Sequence, residues 1–495
     1  MKSLFEQLRE YGESSFYPCH MPGHKRKALG DMPQEIALRD ITEIEGFDNL
    51  HQPEEILYTL QKQAADLYGA EESFYLVNGS TCGILSAISA ALPMGGHILM
   101  ARGSHKSAYH AAYLRKLKVT YLYPDMLSGY DIYDAIKPEQ IKQALDENPD
   151  IQAVFLVSPT YEGRIAQVEE MAEIVHEKGI PLIVDEAHGA HLGFHEKFAK
   201  NSCQVGADMV IHSVHKTLPA MTQAALLHVN GKLIDRDLLK RFLRIYQSSS
   251  PSYLLMASID NALRVISEKG EELFADFYTN YSRMLEILDA NCKNLKFLPL
   301  NAGNKETTCS EENKIGNITQ DVGKLIISSK QGNISGQKIY ELLLKEYQIQ
   351  LEMAAPGFCL AMFTIGDKED AYERMTRALL SIDKLIAEEP IELYNRLDGM
   401  KQERPKRLLP LAHAWDALSE WILLEDSVGC CVAEFVNLYP PGVPILVPGE
   451  QMSETICRSL FQYLKEGLNV QGIRIEFTKD GNAVYKIRVV NQKEN

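Results

Sequence analysis

An acid and a lysine stand at the ends of two apolar runs. Ile180-Pro181-Leu182-Ile183-Val184 leads into Asp185, and Gly206-Ala207-Asp208-Met209-Val210-Ile211 leads into His212-Ser213-Val214-His215-Lys216. Such continuous runs read as buried strands of a parallel sheet, and ligands bind beyond the carboxyl ends of those strands. Two neighbouring strand tips then offer one carboxylate and one amine to a single crevice. A third run, Ser73-Phe74-Tyr75-Leu76-Val77, meets Asn78-Gly79-Ser80-Thr81 and then an alanine-rich segment, Leu85 to Leu92, that reads as helix. Gly79 permits an awkward turn, Ser80 and Thr81 can cap the helix, and its free N–H groups favour an anion such as phosphate.

The three features together suit pyridoxal phosphate. A lysine can hold its aldehyde as a Schiff base, and an acid can keep its pyridine nitrogen protonated so that the ring accepts electrons. Each feature also has an ordinary alternative: Asp185 as a helix cap, Lys216 as a surface lysine, Gly-Ser-Thr as a plain N-cap. Their order, each after a strand, favours the cofactor.

The chain resembles the Orn/Lys/Arg decarboxylase family. The resemblance is carried by Cys19-His20-Met21-Pro22-Gly23-His24-Lys25, Phe47-Asp48-Asn49-Leu50-His51, Ser104-His105-Lys106-Ser107 and Ser158-Pro159-Thr160-Tyr161. Val184-Asp185-Glu186-Ala187-His188-Gly189, Ser213-Val214-His215-Lys216, Ala433-Glu434-Phe435-Val436, Tyr439-Pro440-Pro441-Gly442-Val443-Pro444 and Pro448-Gly449-Glu450 complete it. The length is similar to that of the short biosynthetic arginine and lysine decarboxylases.

The resemblance implies α-decarboxylation of arginine, lysine or ornithine in polyamine metabolism, on an aminotransferase-like (fold type I) α/β architecture. Lys216 is then the Schiff-base lysine and Asp185 the partner of the pyridine nitrogen. Ala187 lets the ring lie against its strand end, and His105 stacks on the opposite face. Gly79, Ser80, Thr81, Ser213 and His215 hold the phosphate, Thr160 reaches the ring hydroxyl, and His188 lies near the substrate carboxylate. Some relatives have two glycines after the lysine, where this chain has Thr217-Leu218-Pro219-Ala220, a stiffer loop; Thr222 is a further phosphate candidate. Ser250, in the cluster Ser248 to Ser252, is implied to reach a neighbouring subunit's phosphate; otherwise the cluster is a helix cap. For the substrate's distal cation the resemblance favours Glu450, then Glu434, with Glu352 behind them. The arm around residues 17 to 27 is implied to lie across a dimer partner.

These residues need a scaffold. From about 54 to 255 strands and helices alternate, which builds a mainly parallel sheet with crossover helices. Residues 255 to 292 read as one long helix, with apolar positions at spacings of three and four. Asn301 to Asp321 reads as an exposed loop. Lys324 to Ser328, a helix over 335 to 346 and a strand pair near 350 to 363 form a small α/β domain. Residues 388 to 407 read as a charged linker, and 408 to 495 as a C-terminal α/β domain. The divisions are an arm (1–53), a large domain (54–255), a small domain (256–387), the linker and the C-terminal domain.

The chain has 495 residues, too many for one core. Its formal charge of −16 argues against nucleic acid and anionic membrane as partners. Nine cysteines without a CxxC pair give a zinc site no support, and their odd number suits a reducing, cytoplasmic compartment. No signal peptide or membrane span is read. Within the same fold, transamination is the rival; it commonly uses a small-domain arginine for the α-carboxylate, and Gln350 to Asp367 contains none. A catalytically silent binding homologue is the rival from another class.

Overall fold

The computed structural model describes residues 2–127, 129–301, 319–388, 403–438, 443–465 and 467–491. The apolar runs become β1 (Glu72–Leu76), β2 (His97–Ala101), β3 (Lys118–Leu122), β4 (Ala153–Val157), β5 (Leu182–Asp185), β6 (Met209–His212) and β7 (Ala225–Val229). They form one sheet in the order β1-β7-β6-β5-β4-β2-β3. β7 alone runs against its neighbours, pairing antiparallel with β1 and β6.

The helices up to this point are α1 (Leu4–Glu13), α2 (Gln34–Arg39), α3 (Ile56–Tyr68), α4 (Gly79–Ala91), α5 (Lys106–Leu114), α6 (Pro138–Glu147), α7 (Val168–His176), α8 (Val214–Thr217) and α9 (Arg236–Tyr246), and α10 (Tyr253–Asn291) follows. Side chains alternate across a strand, so each strand serves two cores. Phe155, Ile183 and Ile211 pack with Ile84, Ile88, Tyr109 and Leu239 from α4, α5 and α9. Val154, Val184 and Val210 pack with Ile141, Met171 and Val175 from α6 and α7. Both faces of the sheet are covered, which is why its strands are apolar throughout.

α10 runs 39 residues, from the serine cluster to a second sheet. That sheet is antiparallel, in the order β10-β11-β9-β8, from β8 (Leu295–Phe297), β9 (Lys324–Ser329), β10 (Met353–Ala354) and β11 (Phe358–Met362), and is joined by α11 (Gly336–Glu346) and α12 (Glu369–Glu388). The boundary expected at 255/256 falls inside α10. Gln320 and Asp321, expected in an exposed loop, are buried: Gln320 Nε2 donates to the Glu162 carbonyl, and Asp321 pairs with His191 at 2.8 Å. Polar composition alone hid these internal bonds. Residues 302–318 of that loop, 389–402 of the expected linker and the Tyr439–Gly442 turn lie outside the described residues.

The last segment holds α13 (Leu411–Asp416), β12 (Ser419–Leu423), β13 (Val436–Leu438), β14 (Val443–Leu446), α14 (Glu454–Lys465), β15 (Val470–Gln471), β16 (Ile473–Phe477) and β17 (Ala483–Val490), with two three-stranded sheets, β12-β17-β16 and β14-β13-β15. Leu411, Phe435 and Val447 join the core above α5. Arg102, just past β2, and Glu450 form a buried ion pair at 3.0 Å, 4% and 2% exposed. Arg102 also donates to Tyr109 Oη and the Ile445 carbonyl, and the Val447 N–H donates to Glu450. Removing one member of a buried pair leaves an uncompensated charge and costs roughly 3–5 kcal/mol. Glu450→Gln is therefore expected to lower the thermal denaturation midpoint. Arg102→Met with Glu450→Leu should recover most of the loss; an unchanged midpoint in the single variant contradicts this account.

Candidate active site

β5 and β6 are parallel neighbours, and Asp185 lies opposite Ile211. The chain leaves β6 through Ser213 and turns at once into α8, so Ser213, His215 and Lys216 emerge together at the sheet's carboxyl edge. Asp185 is buried, and this pushes its carboxyl up to about 6 against the opposing pull of Lys216. Its Oδ1 accepts the Ala187 N–H at 3.1 Å, and among the described residues no cation pairs with it. Burial lowers the Lys216 pKa, opposed by Asp185 and then Glu352.

Lys216 Nζ lies 3.1 Å from Nε2 of His188, and Nδ1 of His188 lies 2.8 Å from Nζ of Lys324. His188 packs edge-on against Tyr161, whose hydroxyl donates to the Glu352 carboxylate. The second sheet thus brings a lysine and a glutamate to the edge of the first. Lys324 was read only as the head of an apolar strand. Its signal was a charged residue opening Lys324-Leu325-Ile326-Ile327, a run otherwise fully buried.

The helix expected from about Leu85 begins at Gly79. Gly79 has φ +72°, a left-handed conformation that suits glycine, and a side chain there would meet nothing within 4 Å. Ser80 and Thr81 therefore sit in the first turn and do not cap it; the N-cap is Asn78. Two loops border this helix start. The Gly79 N–H donates to the Gln223 carbonyl, and Asn78 Oδ1 accepts the Ser248 N–H at 3.1 Å. Ser213 Oγ, expected at the phosphate, is buried without a hydrogen-bond partner, and His215 Nδ1 donates to the Ala224 carbonyl at 2.9 Å.

The other expected residues are placed as follows. His105 caps α5, Nδ1 accepting the Ser107 N–H, and burial and then the Lys216 charge push it down to about 4. Thr160 Oγ1 accepts the Arg164 N–H, so it closes the turn after β4. Thr222 and Ser250 are exposed, and Ser252 provides the helix cap of the serine cluster. Glu434 Oε1 accepts its neighbour Phe435's N–H. Glu450, the first choice for the distal cation, already has its charge compensated by Arg102. In this subunit it fastens the C-terminal segment, and Glu352 acts on Lys216 after Asp185.

A buried chain lies behind Asp185. Ser202 Oγ donates to Glu186, Glu186 meets His212 Nε2 at 2.6 Å, His212 Nδ1 meets His228 Nε2 at 3.0 Å, and His228 Nδ1 meets Ser73 Oγ at 2.6 Å. Burial pushes Glu186 up to about 8 and His212 down to about 3. Neutral groups therefore link β5, β6, β7 and β1 just below the reactive tips, at no cost in buried charge.

A family model described as Orn/Lys/Arg decarboxylase, major domain, matches residues 2–369, and one described as Orn/Lys/Arg decarboxylase, C-terminal domain, matches residues 411–491. The chain is 30% identical to an arginine decarboxylase of Bacillus subtilis, over 99% of this chain and 98% of that one. It is 31% identical to an arginine decarboxylase of Halalkalibacterium halodurans, over 95% and 94%. A solved lysine decarboxylase from Francisella novicida shares the fold with a TM-score of 0.81 at 20% identity, covering 99% of this chain and 81% of that one. The architecture is the aminotransferase-like α/β fold expected from the sequence. With both family models matched in order along it, the chain belongs to the Orn/Lys/Arg decarboxylase family.

Proposed function

We propose that the chain uses pyridoxal phosphate to remove the α-carboxylate of a basic amino acid as CO2. The observation that carries this reading is the placement of Asp185 and Lys216 at the ends of two adjacent parallel strands. The site residues fit the cofactor. Asp185 is a buried carboxylate without a cation, as the partner of a pyridinium nitrogen should be. Among the described residues Ser213 Oγ is a buried hydroxyl without a hydrogen-bond partner, and the first turn of α4 offers helix N–H groups of the kind that favour phosphate.

When bound, the cofactor supplies an aldehyde carbon that condenses with amines and a ring that takes up the electron pair released at the substrate carbon. The residues do the rest. Lys216, its pKa lowered by burial, can attack a carbonyl and later yield its place to the substrate amine. Asp185 would keep the ring nitrogen protonated, His105 and Ala187 would hold the ring between them, and His188, beside Lys216, would stand near the substrate amine. Glu352 is the acceptor for the substrate's guanidinium or ammonium. Arginine and lysine are both named among similar proteins, and chain length and head group are open to assay.

The working unit is a homodimer or larger. The arm folds on its own α1, with Arg26 donating to the Tyr11 carbonyl, yet exposes Phe16, Tyr17 and Met21 by 69%, 74% and 63%. A clustered apolar surface of this kind suits a partner subunit. We keep the arm, the large and small domains, the linker and the C-terminal domain as the organisation of the chain, with the large-to-small transition placed along α10. No described helix is long and apolar enough to cross a membrane, and we assign the protein to the cytoplasm.

Four outcomes test this reading. Lys216→Ala should release no labelled CO2 from arginine, lysine or ornithine, and Asp185→Asn should bind cofactor but turn over at least 100-fold more slowly; near-wild-type rates in either contradict the assignments. Glu352→Gln should raise KM by about one to three orders of magnitude, because losing a desolvated charge pair costs roughly 2–5 kcal/mol and 1.4 kcal/mol is tenfold. An unchanged KM moves the cation's partner elsewhere. In mixed oligomers, a Lys216→Ala subunit combined with one lacking residues 17–27 should regain activity. A fully active monomer across a dilution series excludes the composite site.

A further inference from the structure

Lys324 is a buried ammonium without an ion-pair partner. It opens β9, is 1% exposed, and its Nζ meets His188 Nδ1 at 2.8 Å and the Met362 sulfur at 3.3 Å. Among the described residues no carboxylate forms an ion pair with it. The charged and titratable groups facing it are Asp321, held by His191; Glu352, held by Tyr161; Glu162, in the turn after Thr160; Lys216; and His188.

Hydrogen-bond chemistry orders this group. An ammonium only donates, so Nδ1 of His188 accepts and the ring proton sits on Nε2. With Lys216 as the neutral amine or joined to the cofactor's aldehyde, Nε2 of His188 faces its Nζ, 3.1 Å away, where the substrate nitrogen and Cα would arrive. Burial, then the charges of Lys324 and Lys216, hold His188 well below the usual imidazole range. A neutral imidazole passes a proton and does not store one. Burial lowers Lys324 to about 8, opposed by Asp321. It is therefore charged at pH 7 and able to give its proton up.

We propose that Lys324 is the proton source for the substrate carbon, acting through His188. The inference rests on the decarboxylase reading. The bond between Cα and the carboxylate breaks, CO2 leaves, and the electron pair stays with Cα and the ring it feeds. Nε2 of His188 gives its proton to Cα, forming the C–H bond, while Nδ1 takes one from Lys324. Lys324 is left as a neutral amine and the imidazole as its other tautomer. A proton from solvent restores both after product leaves. Lys324 touches neither substrate nor cofactor in this scheme; it is a positioning and proton-supplying residue.

The test uses the cofactor-loaded enzyme with Lys324→Met, Lys324→Gln and Lys324→Arg. Methionine keeps the length without a proton, glutamine keeps a hydrogen bond to Nδ1, and arginine keeps the charge but does not release a proton at neutral pH. In all three, kcat should fall by roughly 100-fold or more, the scale of general acid catalysis, with KM within about threefold of wild type. The wild-type kcat should decline as pH rises through about 8, because the protonated lysine is the active form, and the variants should lose this limb. With Cα protonation slowed, protons should land on the cofactor carbon instead, seen as carbonyl product and a fading visible band during turnover.

A measurement without substrate separates the inference from the reading beneath it. Removing the Lys324 charge should shift the absorbance titration of the Lys216-bound chromophore to higher pH in the Met and Gln variants. No shift, wild-type kcat in Lys324→Arg, or a retained pH limb in Lys324→Met overturns the proposal. A wild-type enzyme that releases no CO2 overturns the decarboxylase reading, while the titration still reports whether Lys324 is coupled to Lys216.

Discussion

The structure depends on holding two groups of opposite charge type, a buried Asp185 and a half-buried Lys216, at adjacent strand tips. Burial pushes the acid up and the lysine down, and each partly restores the charge of the other. Full neutralisation of Asp185 would remove the ring's electron sink; a fully charged Lys216 would not attack a carbonyl. The geometry that balances the two is parallel pairing of β5 with β6, followed by the immediate turn into α8.

The remaining parts keep that pair fixed and supply what it lacks. Below the tips, Glu186, His212, His228 and Ser73 cross four strands with neutral hydrogen bonds, so the sheet's polar interior adds no competing charge. Beside them, the second sheet delivers Lys324 and Glu352, one cation and one anion, to opposite ends of a short path through His188 and Tyr161. Behind β2, Arg102 and Glu450 lock the C-terminal segment onto the same sheet. The candidate site is thus assembled where the two sheets meet, with the C-terminal segment fastened behind β2.

What could be read from the sequence follows from what is local. Asp185 and Lys216 were legible because strand, acid, turn and lysine are contiguous, and apolar runs mark buried strands whatever they pair with. A mainly parallel sheet and the long α10 followed from alternation and periodicity. Glu352 was only the third candidate for the distal cation and Lys324 was not singled out, because a lysine heading a strand is unremarkable until the neighbouring sheet is seen against it. Glu450 shows the converse. Its place beside Pro448 and Gly449 suggested a ligand-facing loop, but only the fold reveals that Arg102, some 350 positions earlier, already holds it. Gln320 and Asp321 misled in the same way: polar composition suggested solvent, and long-range partners buried them.

The most direct measurement is peptide mapping by mass spectrometry after borohydride reduction of the enzyme loaded with pyridoxal phosphate. Two lysines, Lys216 and Lys324, flank one imidazole, and only one stands beside Asp185. The account predicts a single stoichiometric pyridoxyl adduct on Lys216. An adduct on Lys324, or none on either lysine, would contradict it.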